Sequence, residues 1–156
     1  MKNFTVLAVL LTTCGAASIE TWAADSQASY LKHCSLCHQP DAQGIPGTFP
    51  RIWGRVGQIA ATPEGAAFVA QAVLWGMSGT ISVDDVPVTG VMPGVPHVSD
   101  EEITAIVEYL ITEGGTVKNT SAFSLETVKA ARAGGRVPQA ATNALRNELF
   151  EAGVIK

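Results

Sequence analysis

Charge is scarce in this sequence. Charged residues fill 15% of its 156 positions, against 47% for hydrophobic ones, a balance that excludes long disordered polar tracts. Positive charge is scarcer still. The net charge is -4 at pH 7, and a chain without a cationic surplus has little with which to neutralise phosphates, which argues against nucleic acid as a partner. Long apolar runs are also missing. Past the first residues nothing approaches the roughly 20 apolar residues of a membrane-crossing helix, so no transmembrane anchor is expected in the mature protein. Cysteine occurs only three times.

The N-terminal residues read as a secretory signal. Lys2 gives a short positive region, and Phe4 to Leu11 is an apolar stretch too short to span a bilayer. Small residues follow, up to Thr21-Trp22-Ala23-Ala24. A signal peptidase needs small side chains one and three positions before the cut. Cleavage after Ala23 satisfies this with Ala23 and Thr21, whereas cleavage after Ala24 places Trp22 badly. Residues 1–23 are therefore expected to be removed, and Cys14 with them. Thr13 fits poorly as the residue before a lipoprotein cysteine. Cys34 and Cys37 then remain as the cysteines of the exported chain.

Those two cysteines belong to Cys34-Ser35-Leu36-Cys37-His38, the C-x-x-C-H pattern of covalent haem c attachment. Positions three apart share one side of a helical turn, so both thiols can reach the vinyl groups of one porphyrin. His38 then lies under the iron as proximal ligand. Export agrees with this, because haem c is attached outside the cytoplasm. Other chemistries stay open on spacing alone. A thioredoxin-like C-x-x-C needs a βαβ context, and the neighbouring sequence lacks apolar strands. A zinc site needs a fourth ligand, for which His33 and His97 are candidates. A structural disulfide is the third alternative.

The candidates for the other axial ligand are Met92, Met77 and His97. Met92 lies in Val91-Met92-Pro93-Gly94, just before a helix start, and Pro93 stiffens that loop. Met77, in Trp75-Gly76-Met77-Ser78-Gly79, reads as a packing or loop methionine at a helix end, and His97 as an exposed loop histidine. With these motifs the chain resembles the class I, single-haem c-type cytochromes, in which Met-Pro before the last core helix supplies the distal ligand. The run Phe49-Pro50-Arg51-Ile52-Trp53-Gly54 is similar to their P-x-[LI]-x-G segment. The resemblance implies that the Pro50 carbonyl accepts a hydrogen bond from the proximal histidine, His38, and so orients its ring. It also implies that Tyr30, one helical turn before Cys34, lies with Tyr109 near the crossing of the first and last core helices. More weakly, the stretch from Gly79 to Met92 resembles cytochromes associated with periplasmic quinoprotein dehydrogenases.

The expected fold is all-α: a cytochrome c fold around one covalent haem in residues 24–115, followed by a short helical extension, 116–156. A helix is predicted from the Thr62 cap and Pro63 to Gly76. A second begins at Ser99-Asp100-Glu101-Glu102, a capping box with Val98 as a staple, and stops at Gly114-Gly115. Between Gly79 and Gly90 the sequence is irregular, with two short extended pieces that suit a small hairpin. In the extension, helices are predicted over Leu125 to Ala133, capped by Ser124 and stopped by Gly134-Gly135, and from near Pro138 or Thr142 to Ala152. Charge divides unevenly. Residues 25–116 carry Lys32, Arg51 and Arg55 against ten carboxylates, while residues 117–156 carry six basic side chains against three acidic ones. Such a segment is either a pair of solvated helices or a tail that packs on the acidic part or docks a partner.

The functional expectation is a periplasmic electron carrier, not an enzyme. It would take single electrons from a periplasmic dehydrogenase and pass them to another cytochrome or an oxidase. A thioether ligand favours Fe(II), and two protein ligands leave no vacant coordination position. The rival readings are a haem enzyme or a gas or redox sensor with a labile sixth ligand, and a thiol oxidoreductase.

Overall fold

The computed structural model describes residues 18–114 and 122–155. Helix α1 spans Ser18–His33, and α2, Ser35–His38, follows after a break at Cys34. The expected signal segment lies mostly outside the described residues, and its expected end at Ala23 falls within α1. Among the described residues no helix is long and apolar enough to cross a membrane.

The next two helices follow local rules. Helix α3 (Arg55–Ile59) starts from Gly54 in the left-handed region. Helix α4 (Pro63–Trp75) has the predicted cap: the Thr62 hydroxyl accepts from the Gly65 amide at 3.1 Å, and Pro63 occupies the first turn. Pro is tolerated there because its missing N–H would have no intrahelical partner. Helix α5 (Asp100–Thr112) is capped by Ser99, which accepts from the Glu102 amide at 3.1 Å. Its apolar stripe of Ile103, Ile106, Val107 and Leu110 is buried. It crosses α1, where Tyr30 and Tyr109 meet with ring centroids 5.9 Å apart. The Glu102 carboxylate reaches across this crossing to Ser29 Oγ at 3.0 Å and His33 Nε2 at 3.1 Å.

The all-α expectation needs correction. Two eight-residue antiparallel strands, β1 (Gly76–Val83) and β2 (Val86–Pro93), form a hairpin. Asp84 and Asp85 make its two-residue turn with φ of 53° and 62°. Positive φ at both positions suits the right-handed twist of the flanking strands, and aspartate tolerates it better than most side chains. Val and Thr populate both strands, with Ile81 in β1, as a pleated surface favours. Pro87 and Pro93 are accommodated because each strand of a two-stranded ribbon has an open edge.

Helix α6 (Leu125–Ala133) has the predicted Ser124 cap and ends at Gly134. Helix α7 runs over Gln139–Glu151. The expected boundary at 115/116 lies outside the described residues. The described part of the extension packs inward. Helix α6 lies on α4 and α5, and α7 lies on β1 and α4. Phe123, Val128, Leu149 and Ile155 belong to the same buried cluster as Tyr30, Leu74 and Ile103. Burying a side chain of this size is worth about 1.5–3 kcal/mol, so these residues bind the extension to the core far more firmly than surface charges would.

Candidate functional site

The backbone carries the helical pattern through the break at Cys34. The Cys34 amide donates to Tyr30 O at 2.9 Å, and the His38 amide donates to Cys34 O at 3.0 Å. Cys34 packs against the core, whereas Cys37 and His38 line a cleft. Both thiols are free. Burial, and then the neighbouring Cys37, push the Cys34 thiol up to about 11, so at neutral pH it is a protonated thiol. Among the described residues no group of three or more His, Cys, Asp or Glu side chains is placed to hold a metal ion, as the zinc alternative would need.

His38 is buried, with 7% of its surface exposed. Its Nδ1 lies 2.9 Å from the Pro50 carbonyl oxygen. A carbonyl only accepts, so Nδ1 carries the proton and Nε2 keeps its lone pair. Burial pulls the imidazole below its usual range, against the opposing effect of the Pro50 bond. The ring is therefore neutral, oriented, and has one free nitrogen. Gly44 makes this possible: its φ is +65°, and a Cβ there would sit 2.3 Å from Phe49 O and 2.7 Å from Pro50 O.

The cleft holds about 770 Å³ of space, part of it open to solvent. One wall is Cys37, His38 and the Thr48–Pro50 turn; the other is the hairpin. Met77 pairs with Met92 across the strands, and Ile81 with Val88, and all four line the cleft. Directly opposed residues share one face of a ribbon, so both thioethers stand on one side. Among the described lining residues, Cys37 and His38 are the titratable ones.

The sequence candidates do not all meet there. Cys37, His38, Pro50, Met92 and Met77 line the cleft. Tyr30 stands behind it, fully buried, with its hydroxyl donating to Gln39 O at 2.5 Å. Burial is the main cause that raises its phenol well above the ordinary range. His97 is exposed and meets His33 edge to face at 6.0 Å, away from the cleft.

Sequence reasoning missed the residues that join the walls. Arg51 makes a two-pronged bond to Asp84 at the hairpin turn, at 2.8 and 2.9 Å, and also donates to Trp53 O at 2.7 Å. The Arg51 hydrogen bond holds the Asp84 carboxyl below its usual range. From the extension, the Gln139 side chain donates to Met92 O at 3.2 Å, and Arg146 donates to Ser82 O at 2.8 Å. Apart from the Arg51–Trp53 bond, these contacts join distant segments, so no local pattern signals them.

The family model described as Cytochrome c matches residues 23–113. The chain belongs to the cytochrome c family. Two cytochrome c-552 sequences of Thermus thermophilus are each 37% identical to it over 115 residues. The match covers 72% of this chain, with 88% of one relative and 78% of the other. As a cytochrome c the protein is an electron-transfer protein with one covalently bound haem c and redox partners, and Cys34-Ser35-Leu36-Cys37-His38 is the matching attachment motif. The residues present fit that group. The cleft is mostly apolar and open at one side, as a site for a flat apolar cofactor with one exposed edge would be. At it stand an imidazole with one free nitrogen, the Cys37 side chain and two thioethers.

Proposed function

We propose that this cytochrome c is a periplasmic single-electron carrier, with haem joined at Cys34 and Cys37 and the iron held by His38 and Met92. Bound haem supplies a one-electron Fe(III)/Fe(II) couple. The chain's own residues set the terms of that couple. Pro50 orients His38, the apolar cleft walls limit water, and a soft thioether favours the reduced state. The observation that carries the reading is the cleft itself, where an oriented His38 and Met92 stand on different walls.

Met92 is favoured over Met77 because Met77 packs against the hydrophobic core, while the Met92 backbone is held by Gln139 and followed by Pro93. With His38 and Met92 both holding the iron, exogenous ligands would be kept out, which favours a carrier over a haem enzyme or sensor. The donor is proposed to be a periplasmic dehydrogenase and the acceptor another cytochrome or an oxidase. The identity with cytochrome c-552 proteins along most of their length supports a carrier of the same kind.

The test begins with haem staining after denaturing electrophoresis. The ferric protein should then show the far-red absorbance band of thioether-to-iron ligation. Haem lost on denaturation, with both thiols titrating free, would overturn the attachment. A ferric protein that lacks the band and binds cyanide at once would favour the enzyme or sensor reading.

A further inference from the structure

Two side chains of the C-terminal extension grip the segment that carries Met92. At its start, Gln139 Nε2 donates to the Met92 carbonyl at 3.2 Å. Gly76 leaves the room for this: its φ is +80°, and a Cβ there would lie 2.3 Å from Met92 O and 2.6 Å from Gln139 Nε2. Toward the far end, Arg132 donates to Pro96 O and Val98 O, both at 2.7 Å, and to Asp100 Oδ1 at 2.6 Å. Between these grips the segment has the Val95 amide bonded to Val73 O at 2.9 Å and the Val98 amide to Val95 O at 3.0 Å. Gln139 and Arg132 both lie outside residues 23–113, the stretch that the family model matches.

We infer that Gln139 and Arg132 are positioning residues for the axial thioether: the extension holds the 92–100 segment closed so that Met92 stays on the iron and other ligands stay out. The inference rests on the His38/Met92 reading above. A ligand loop departs from the metal by local opening, whose free energy is set by the contacts of that loop and is smaller than that of global unfolding. Exogenous imidazole competes with Met92 only in the open form, so its apparent affinity reports the open population. The two grips act on that population directly. Gln139 holds the ligand residue's own carbonyl. Arg132 spans two carbonyls and a carboxylate, with charge assistance that strengthens each bond.

The experiment uses the full-length ferric holoprotein and imidazole. Gln139→Leu keeps most of the side-chain shape and removes the donor. It should raise imidazole affinity about 2- to 10-fold, the worth of one net hydrogen bond. Arg132→Gln should raise it further, and both should lower the reduction potential. Leu149→Ala serves as the comparison, because it loosens the core in the same extension and removes no hydrogen bond to the 92–100 segment. It should lower global stability and leave imidazole affinity unchanged. If Leu149→Ala raises the affinity as much as Gln139→Leu does, the effect is general loosening and the inference fails. If Arg132→Gln does not mature, Gln139→Leu alone decides, since it removes a single partly buried bond. Met92→Ala and Met77→Ala separate the two levels. Loss of the far-red band in Met77→Ala and not in Met92→Ala overturns the axial reading and the inference together. Loss in Met92→Ala, with imidazole affinity and potential unmoved in both extension variants, overturns the inference alone.

Discussion

Met77 and Met92 stand directly opposite each other across the β1–β2 hairpin, and both line the cleft that holds His38. One hairpin therefore offers two sulfur donors on one face. What distinguishes them is their surroundings: Met77 packs against the core, and Met92 has its carbonyl tied to Gln139.

Met92→Ala should accordingly lower the reduction potential, abolish the far-red band and admit imidazole or cyanide. Met77→Ala should keep the band and lose stability instead, by about 2–5 kcal/mol for truncation of a packed methionine. Visible spectra and equilibrium denaturation of the two holoproteins read this out.

Gly44→Ala tests the orientation of His38. The new methyl group would meet Phe49 O and Pro50 O at 2.3 and 2.7 Å, in a left-handed backbone. Overpacking of this kind costs about 1–3 kcal/mol. Because Pro50 O is the acceptor for His38 Nδ1, the variant should also shift the potential. A stability loss with an unchanged potential would show that Pro50 does not tune the ring.

The elements that sequence reasoning located well are those with local chemistry. Thr62, Ser99 and Ser124 each cap the helix they were expected to start, since a cap needs only a side-chain oxygen and an amide two or three residues on. The C-x-x-C-H motif is local in the same way. The hairpin was seen only in part, over its outer half. Gly76 ends α4 and begins β1 at once, and the Asp84-Asp85 turn lacks the glycine that usually marks one. Met77 therefore read as a helix-end residue. Glu102 was expected to reach back to its own cap, yet its carboxylate meets Ser29 and His33. The grips of Arg132 and Gln139 join positions 32 to 47 residues apart, and nothing in the sequence alone pairs them.

The extension contributes to stability through apolar burial. Leu149→Ala should destabilise the holoprotein by about 2–5 kcal/mol, measured by guanidinium unfolding. A change within about 0.5 kcal/mol, as for an ordinary surface substitution, would mean that α7 is not anchored in the core.

Acid should loosen the hairpin turn. Arg51 depresses the Asp84 carboxyl in the folded state. A carboxylate depressed on folding contributes stability that is present above its unfolded pKa and lost as pH falls through its folded pKa. The Asp84 contribution should thus be intact at neutral pH and fade below the ordinary carboxylate range. Asp84→Asn should lower stability at neutral pH and flatten that part of the acid limb. Denaturation across a pH series compares the two proteins, and parallel curves would refute the assignment. Asp84 is half-exposed, so solvent screening keeps the effect small.

The turn at Asp84-Asp85 also acts as a ruler. Arg51, next to Pro50, and Arg55, at the start of α3, both hold Asp84, so β2 is counted from a fixed origin. Side chains along a strand alternate between its faces, and a shift of one residue moves every one of them to the other side. A single residue inserted between Asp85 and Met92 would turn the thioether away from His38 and bring a neighbour into its place. Two inserted residues would restore the facing while moving the sulfur along the cleft. The spacing of turn to sulfur therefore has a parity as well as a length, and this chain is far less tolerant of odd insertions there than a loop of the same composition would be.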